Sequence, residues 1–229
     1  MEYINNLLFG IYPYIALVVF VVGSLIRYDR DQYSWKTGSS QMLESKMLRK
    51  GSMPFHVGII MVLAGHFVGL LTPHQVWDFL HITAPMKQVF AMAMGGFFGV
   101  ICFYGLTILI IRRFTNDRVK ASSSAMDNLI LVLIYAQLIL GLISIVVSTG
   151  HLDGSEMLML MSWAQNVVTF QGPAAAEAIA HVNIIFKLHV FLGMSLFVLF
   201  PFSRLVHVWS VPVKYFRRNY QIVRTKTGS

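Results

Sequence analysis

Five apolar runs dominate this sequence, each close to the length of a lipid-spanning helix. They cover residues 7–26, 53–71, 89–111, 129–147 and 184–206. The hydrocarbon core of a bilayer takes about 20 helical residues to cross. Backbone groups in lipid have no water to bond, so each run is expected to be a helix that satisfies its own N–H and C=O groups. Composition agrees: 56% of the residues are hydrophobic and 12% charged, where a soluble domain carries about 25% charged residues. The expected fold is all-α, an integral membrane bundle of five transmembrane helices forming a single domain over residues 1–229. No internal repeat or linker points to a second folded unit. The first run lacks a basic n-region and a small-residue cleavage site, so it reads as a span and not as a signal peptide.

Charge placement sets the orientation. The first loop holds Arg27, Arg30, Lys36, Lys46, Arg49 and Lys50, and the third holds Arg112, Arg113, Arg118 and Lys120. The tail, 207–229, adds Lys214, Arg217, Arg218, Arg224 and Lys226. Between spans two and three Lys87 stands alone, and the N-terminal segment and fourth loop carry no Lys or Arg. By the positive-inside rule the N-terminus lies outside and the tail is cytoplasmic. The net charge of +8 is therefore a topology signal, and no nucleic-acid partner is expected. Cys102 is the one cysteine, which excludes an intramolecular disulfide, a thiolate-ligated iron–sulfur cluster and a CxxCH haem attachment. The fourth loop, 148–183, is too long for a turn. Its apolar stretch 156–170 is too short to span and is expected at the outer interface or over the bundle.

Histidine depth carries the chemistry. Of eight histidines, His74, His81, His151 and His181 fall in or beside the outer loops and read as wet surface groups. His56, His66, His189 and His207 fall within or at the ends of spans two and five. An ionisable group at that depth is costly and marks function by default; the bland reading is a neutral imidazole bonded to the next helix. Spans two and five run in opposite directions. Antiparallel packing therefore sets His56 level with His207 near the cytoplasmic face, and His66 level with His189 nearer the outer face. Two pairs at two depths is what two bis-histidine haems require. The spacing is uneven. His189 and His207 are five whole turns apart, about 27 Å along a straight helix, whereas His56 and His66 are separated by about 15 Å and about 80°. Haem tilt or a bend at Pro201 is needed to reconcile them.

Nearby small and charged residues have two readings each. Gly58, Ala64, Gly65, Gly69 and Gly193 suit either a flat macrocycle or ordinary helix packing. Arg112 and Arg204 suit either a haem propionate or a topology anchor facing water. A haem-free membrane anchor and a histidine-based proton or metal transporter remain as alternatives. Transport is disfavoured because the spans hold almost no carboxylates to partner the histidines.

Longer stretches carry a family resemblance. They are IYPYIA near the start, SSQML in the first loop, FHVGI and GHFVGLLTPH in span two, HLDGSEM and WAQNVVTF in the fourth loop, and KLHVFLGMSLFVLFPFSRLVHVWSVPV at the end. Over nearly its whole length the chain resembles the gamma subunit of bacterial membrane-bound respiratory nitrate reductase, a di-haem cytochrome b. The resemblance implies two haem b groups, held by His56 with His207 on the cytoplasmic side and by His66 with His189 on the outer side. It implies a quinol site at Lys87, with menaquinol or ubiquinol as substrate; Gly65, next to His66, is the candidate that leaves room for the quinone ring. Arg112 is the candidate propionate partner. The expected partners are an iron–sulfur subunit, a molybdenum catalytic subunit, membrane lipid and the quinone pool. The expected setting is the bacterial cytoplasmic (inner) membrane, in anaerobic respiration and nitrate assimilation. Without the resemblance, Lys87 reads as a snorkelling interfacial lysine.

Overall fold

The computed structural model of the chain describes residues 2–35 and 43–210. Lys36 and the basic tail beyond Ser210 lie outside the described residues, as does most of SSQML. Five helices are long and apolar enough to cross a membrane. They are α1 (Glu2–Arg30), α2 (Ser45–Leu71), α3 (Ala84–Thr115), α4 (Ala125–Ser148) and a fifth segment, Ile184–Phe202, whose α-helical part is named α7 below. The fourth loop folds into α5 (Ser155–Val168) and α6 (Gly172–Ala178) before α7 (Ile184–Leu199) begins.

The first four helices run past the apolar stretches, and two of them, like α7, begin at a polar cap. A helix leaves its first N–H and last C=O groups without intrahelical partners. At the start of α4, Ser124 and Asp127 form a reciprocal capping box. At the start of α3, Thr83 Oγ1 accepts from the Met86 amide. At α7, Asn183 Oδ1 accepts from the Ile185 amide. Helix ends are closed by glutamine side chains from neighbouring helices. Gln165 Nε2 donates to the Leu70 and Thr72 carbonyls after α2, and Gln88 Nε2 donates to the Ser148 and His151 carbonyls after α4.

Within the bundle, α2 and α3 make the broadest contact. The reason is glycine. A Cβ at Gly58 would lie 2.6 Å from the Cys102 backbone nitrogen, and one at Gly51 would lie 3.0 Å from the Gly105 carbonyl oxygen. Cys102, Leu106 and Leu138 form the buried centre of this side, with Phe55, Ile59 and Tyr135 against it. α4 packs on α3 and α7, and α1 packs on α7.

The fourth loop closes one end of the bundle instead of lying free at an interface. Met161, Trp163, Ala164 and Val167 of α5 are buried, and α5 packs against α2. A second buried cluster forms there from Phe9, Trp163, Val167, Ala175, Ile179 and Phe186. α1 contains a π-helical turn, Asn6–Ile11, and the Trp163 indole donates to the Phe9 carbonyl within it at 3.0 Å. Entry into α5 requires glycine. Gly154 has φ 82° and a Cβ there would lie 2.9 Å from the Ala84 backbone. Beside it, hydrogen bonds from Ser155 hold the Asp153 carboxyl below the usual range.

Candidate functional site

Two helices and one 3₁₀ segment bring the four deep histidines together as two pairs. His56 and His66 project from α2. His189 projects from α7, and His207 from the 3₁₀ segment Arg204–Ser210. The His66 and His189 ring centres are 5.9 Å apart, and those of His56 and His207 are 6.4 Å apart. Two imidazoles sharing one metal need about 6 Å, since each metal–nitrogen bond is about 2 Å and each ring centre lies about 1 Å behind its nitrogen.

Hydrogen bonds set the tautomer of three rings. His56 Nδ1 is 2.7 Å from the Ser52 carbonyl, His66 Nδ1 is 2.8 Å from that of Val62, and His207 Nδ1 is 2.6 Å from that of Arg204. A carbonyl only accepts, so each Nδ1 carries the proton and each Nε2 keeps its lone pair. That is the usual arrangement of a metal-ligating histidine whose other nitrogen is fixed by the protein. His189 is set differently. The Gln137 amide nitrogen is 3.3 Å from its Nε2; an amide nitrogen only donates, so Nε2 is unprotonated and its lone pair accepts from Gln137. The buried His189 Nδ1 has no hydrogen-bond partner. Gly141 makes room for this ring, because a Cβ there would lie 3.0 Å from His189 Cε1.

The space around the pairs is open. α2 buries the smallest share of the five spans inside the chain. It meets α7 only marginally, in contrast to its broad contact with α3. His56 and His66 are both exposed. A Cβ at Gly65 or Gly69 would meet nothing within 4 Å. The glycines of span two therefore divide. Gly58 serves helix packing, while Gly65 and Gly69 border the open flank. Gly193 is a packing position, with a Cβ there 3.2 Å from Gln137.

The uneven histidine spacing has a structural explanation. The expected continuous helix over 184–206 does not exist. α7 ends at Leu199, Phe200–Phe202 is a short 3₁₀ turn, and Ser203 is extended at φ −119° and ψ 177°. His207 therefore does not share a straight axis with His189, and the five-turn separation does not apply.

Lys87 is buried, with 6% exposure. Its ammonium donates to the Gly69 carbonyl at 2.9 Å, contacts Met161 Sδ at 2.6 Å and lies 4.4 Å from the centre of the Trp77 ring. Gly69 is three residues beyond His66 on α2, so Lys87 sits at the end of the bundle nearer the His66–His189 pair. At the opposite end Arg112 is 2% exposed and its Nε donates to the Glu44 carbonyl. Arg204 forms an ion pair with Asp127 at 2.7 Å, which ties the segment carrying His207 to the cap of α4. Among the described residues, no group of three or more His, Cys, Asp or Glu side chains is placed to hold a metal ion.

Residues 5–226 match the family model described as nitrate reductase gamma subunit. The chain is 49% identical over 226 residues to the respiratory nitrate reductase 1 gamma chain of Escherichia coli (strain K12), covering 99% of this chain and 100% of that one. It is 35% identical over 223 residues to the nitrate reductase gamma chain of Bacillus subtilis (strain 168), covering 97% and 99%. The chain belongs to the nitrate reductase gamma subunit family. It is a multi-pass membrane subunit of a nitrate reductase. A more distant relative of this gamma subunit is the Hdr-like menaquinol oxidoreductase cytochrome b-like subunit of Archaeoglobus profundus, 26% identical over 206 residues, with 87% of this chain and 58% of that one covered.

Four gamma-subunit residues at the site escape a reading of the sequence alone. Gln137 and Gly141 face His189 from α4, where they look like ordinary span residues. Met161 and Trp77 enclose Lys87 from two different loops. Gly141 and Met161 carry a local signal only of apolar or helical character, Gln137 is a single polar residue in an apolar span, and only Trp77 is near its partner in the chain.

Proposed function

We propose that this chain is the di-haem cytochrome b of its complex. In this reading it oxidises quinol at the Lys87 end, which faces the outside, and sends the electrons to the cytoplasmic end. There an iron–sulfur subunit receives them and passes them to a molybdenum catalytic subunit that reduces nitrate. The observation that carries the reading is the pair of imidazole couples at two depths, each about 6 Å across its ring centres. The histidine tautomers, the open flank between α2 and α7 and the cytochrome b-like relative support it.

When bound, a haem b iron supplies reversible one-electron chemistry between its ferric and ferrous forms. His66 and His189 would hold one such group, and His56 and His207 the other. In His56, His66 and His207 the Nδ1–H bonds to carbonyls orient the rings and raise the basicity of Nε2. Arg112, at the cytoplasmic end, is the partner proposed for a propionate of the second group.

Lys87 is suited to quinol. An ammonium has three N–H donors, and the Gly69 carbonyl and Met161 thioether engage two directions. A quinol oxygen arriving beside the Trp77 ring would take the remaining N–H, and the positive charge would stabilise the anion formed as its proton leaves. Gly65 provides ring space beside His66. Each quinol yields two protons and two electrons. Release of the protons outside, with passage of the electrons inward, separates charge across the membrane; each elementary charge moved through 100 mV stores about 2.3 kcal/mol. The basic first and third loops and the tail form the cytoplasmic docking surface.

Haem content per chain with a redox titration tests the reading. Wild-type complex is expected to hold two b-type groups per chain. His56→Ala or His207→Ala removes the cytoplasmic-side group, and His66→Ala or His189→Ala removes the outer one. Loss of the same group from the His56 and His66 variants breaks the pairing. Absence of haem bands from correctly inserted protein leaves a membrane anchor.

A further inference from the structure

The break that ends α7 is held from outside the segment. Arg27, in the last turn of α1, reaches across with its guanidinium. Nη1 donates to the Pro201 carbonyl at 2.6 Å and to the Ser203 carbonyl at 2.9 Å. The same side chain is anchored at its other edge: Nη2 donates to the Ser34 carbonyl at 2.8 Å and Nε to Ser34 Oγ at 3.1 Å. Four bonds from one planar fork thus join the end of α1, the 3₁₀ turn Gln32–Ser34 and the kink between α7 and His207. The two carbonyls flank the point where the chain turns extended at Ser203, where a helix would have satisfied them internally.

Neighbouring contacts converge on the same kink. Gly23, one turn before Arg27, faces Pro201, and a Cβ there would lie 2.8 Å from Pro201 Cγ. Phe20 packs edge-on against Phe200 at 4.8 Å and tilted against Trp209 at 5.3 Å. Trp35 Nε1 donates to Ser210 Oγ at 2.8 Å. His207 therefore lies on a segment clamped on both sides by α1 and the turn after it.

We propose that Arg27 is a positioning residue for His207: its fork on the Pro201 and Ser203 carbonyls fixes the kink that sets the His207 imidazole opposite His56. The proposal rests on the two-haem reading for what the imidazole pair holds. Arg27 touches neither ring and acts through the backbone between them. Its geometry also says why arginine is needed. A lysine carries the same topology charge but offers a single point donor, which does not bridge two carbonyls while bonding Ser34 on its other edge. A topology anchor alone predicts that lysine is as good as arginine.

The test is a redox titration and low-temperature absorbance spectrum of the whole nitrate reductase complex with Arg27→Lys or Gly23→Ala. His207→Ala and His66→Ala identify the two haem waves. Arg27→Lys is expected to shift or broaden only the wave that His207→Ala abolishes, leaving the wave that His66→Ala abolishes in place as an internal check on folding. Gly23→Ala, which pushes on Pro201 without touching the guanidinium, is expected to shift the same wave. The proposal is overturned if the Arg27→Lys titration superimposes on wild type, or if both waves move together. A wild-type complex without two haem waves overturns the two-haem reading itself, an outcome distinct from failure of the Arg27 assignment.

Discussion

The two flanks of α2 are built on opposite plans. Toward α3 the helix is closed: Gly51 and Gly58 let backbone approach backbone, and Cys102 and Leu106 are sealed from any solvent. Toward α7 it is open, and ring contacts between histidines bring the two sides together. In lipid no hydrophobic effect drives helices together, so association depends on close packing and polar contacts. The closed flank uses glycine to gain that packing. The open flank forgoes it over much of its length, and in the proposed function this is the space a flat macrocycle would take between the paired imidazoles. One helix thus packs closely on one side and presents His56 and His66 on the other.

The largest effect is expected on the closed flank. Gly58→Leu places a side chain against the Cys102 backbone, which cannot move without shifting α3. Overpacking of this kind costs about 1–3 kcal/mol or more, and thermal denaturation of the purified complex is expected to show a marked loss of stability. A wild-type melting curve for this variant would mean that the α2–α3 contact is looser than described.

A smaller effect is expected where the open flank meets the fourth loop. Lys87→Ala removes the ammonium from Gly69 and Met161 while both imidazole pairs remain. A charge-assisted hydrogen bond is worth about 1.5–3 kcal/mol, so quinone-analogue binding is expected to weaken tenfold or more with haem content unchanged. Unchanged binding in a calorimetric or fluorescence titration returns Lys87 to a structural role at the end of α2.

The smallest effect on stability is expected at Gly65→Ala. Nothing lies within 4 Å of the added methyl group, and alanine is a better helix former than glycine by about 1 kcal/mol. Stability is expected to hold or rise slightly, in contrast to Gly58 seven residues earlier. Quinone-analogue affinity, measured on the same preparation, is expected to fall if the ring lies against this position. A stability loss like that of Gly58→Leu would erase the distinction between the flanks.

Much of this was legible in the chain itself, for a reason that favours membrane proteins. Lipid imposes a one-dimensional requirement on each segment, and hydropathy reports it residue by residue; the five spans follow directly. Opposite directions for spans two and five also level His56 with His207 and His66 with His189, because depth follows from position along a helix. The helix bounds were less accessible. α2 begins at Ser45 and not near residue 53, because Lys46, Arg49 and Lys50 extend the helix past the apolar run.

What only the tertiary structure decided is how two unequal spacings serve two pairs. Pro201 signals a bend, yet the chain's course beyond Leu199 depends on a guanidinium that lies 174 residues earlier in sequence. The same holds for the glycines: Gly58 and Gly65 read alike, and only the neighbouring helix makes one a packing contact and the other an open edge. Hydropathy and charge are properties of single segments, so the sequence by itself determined the spans and the levels of the histidines. Kinks, tautomers and the division between closed and open flanks arise from contacts between segments, and those exist only once the bundle has formed.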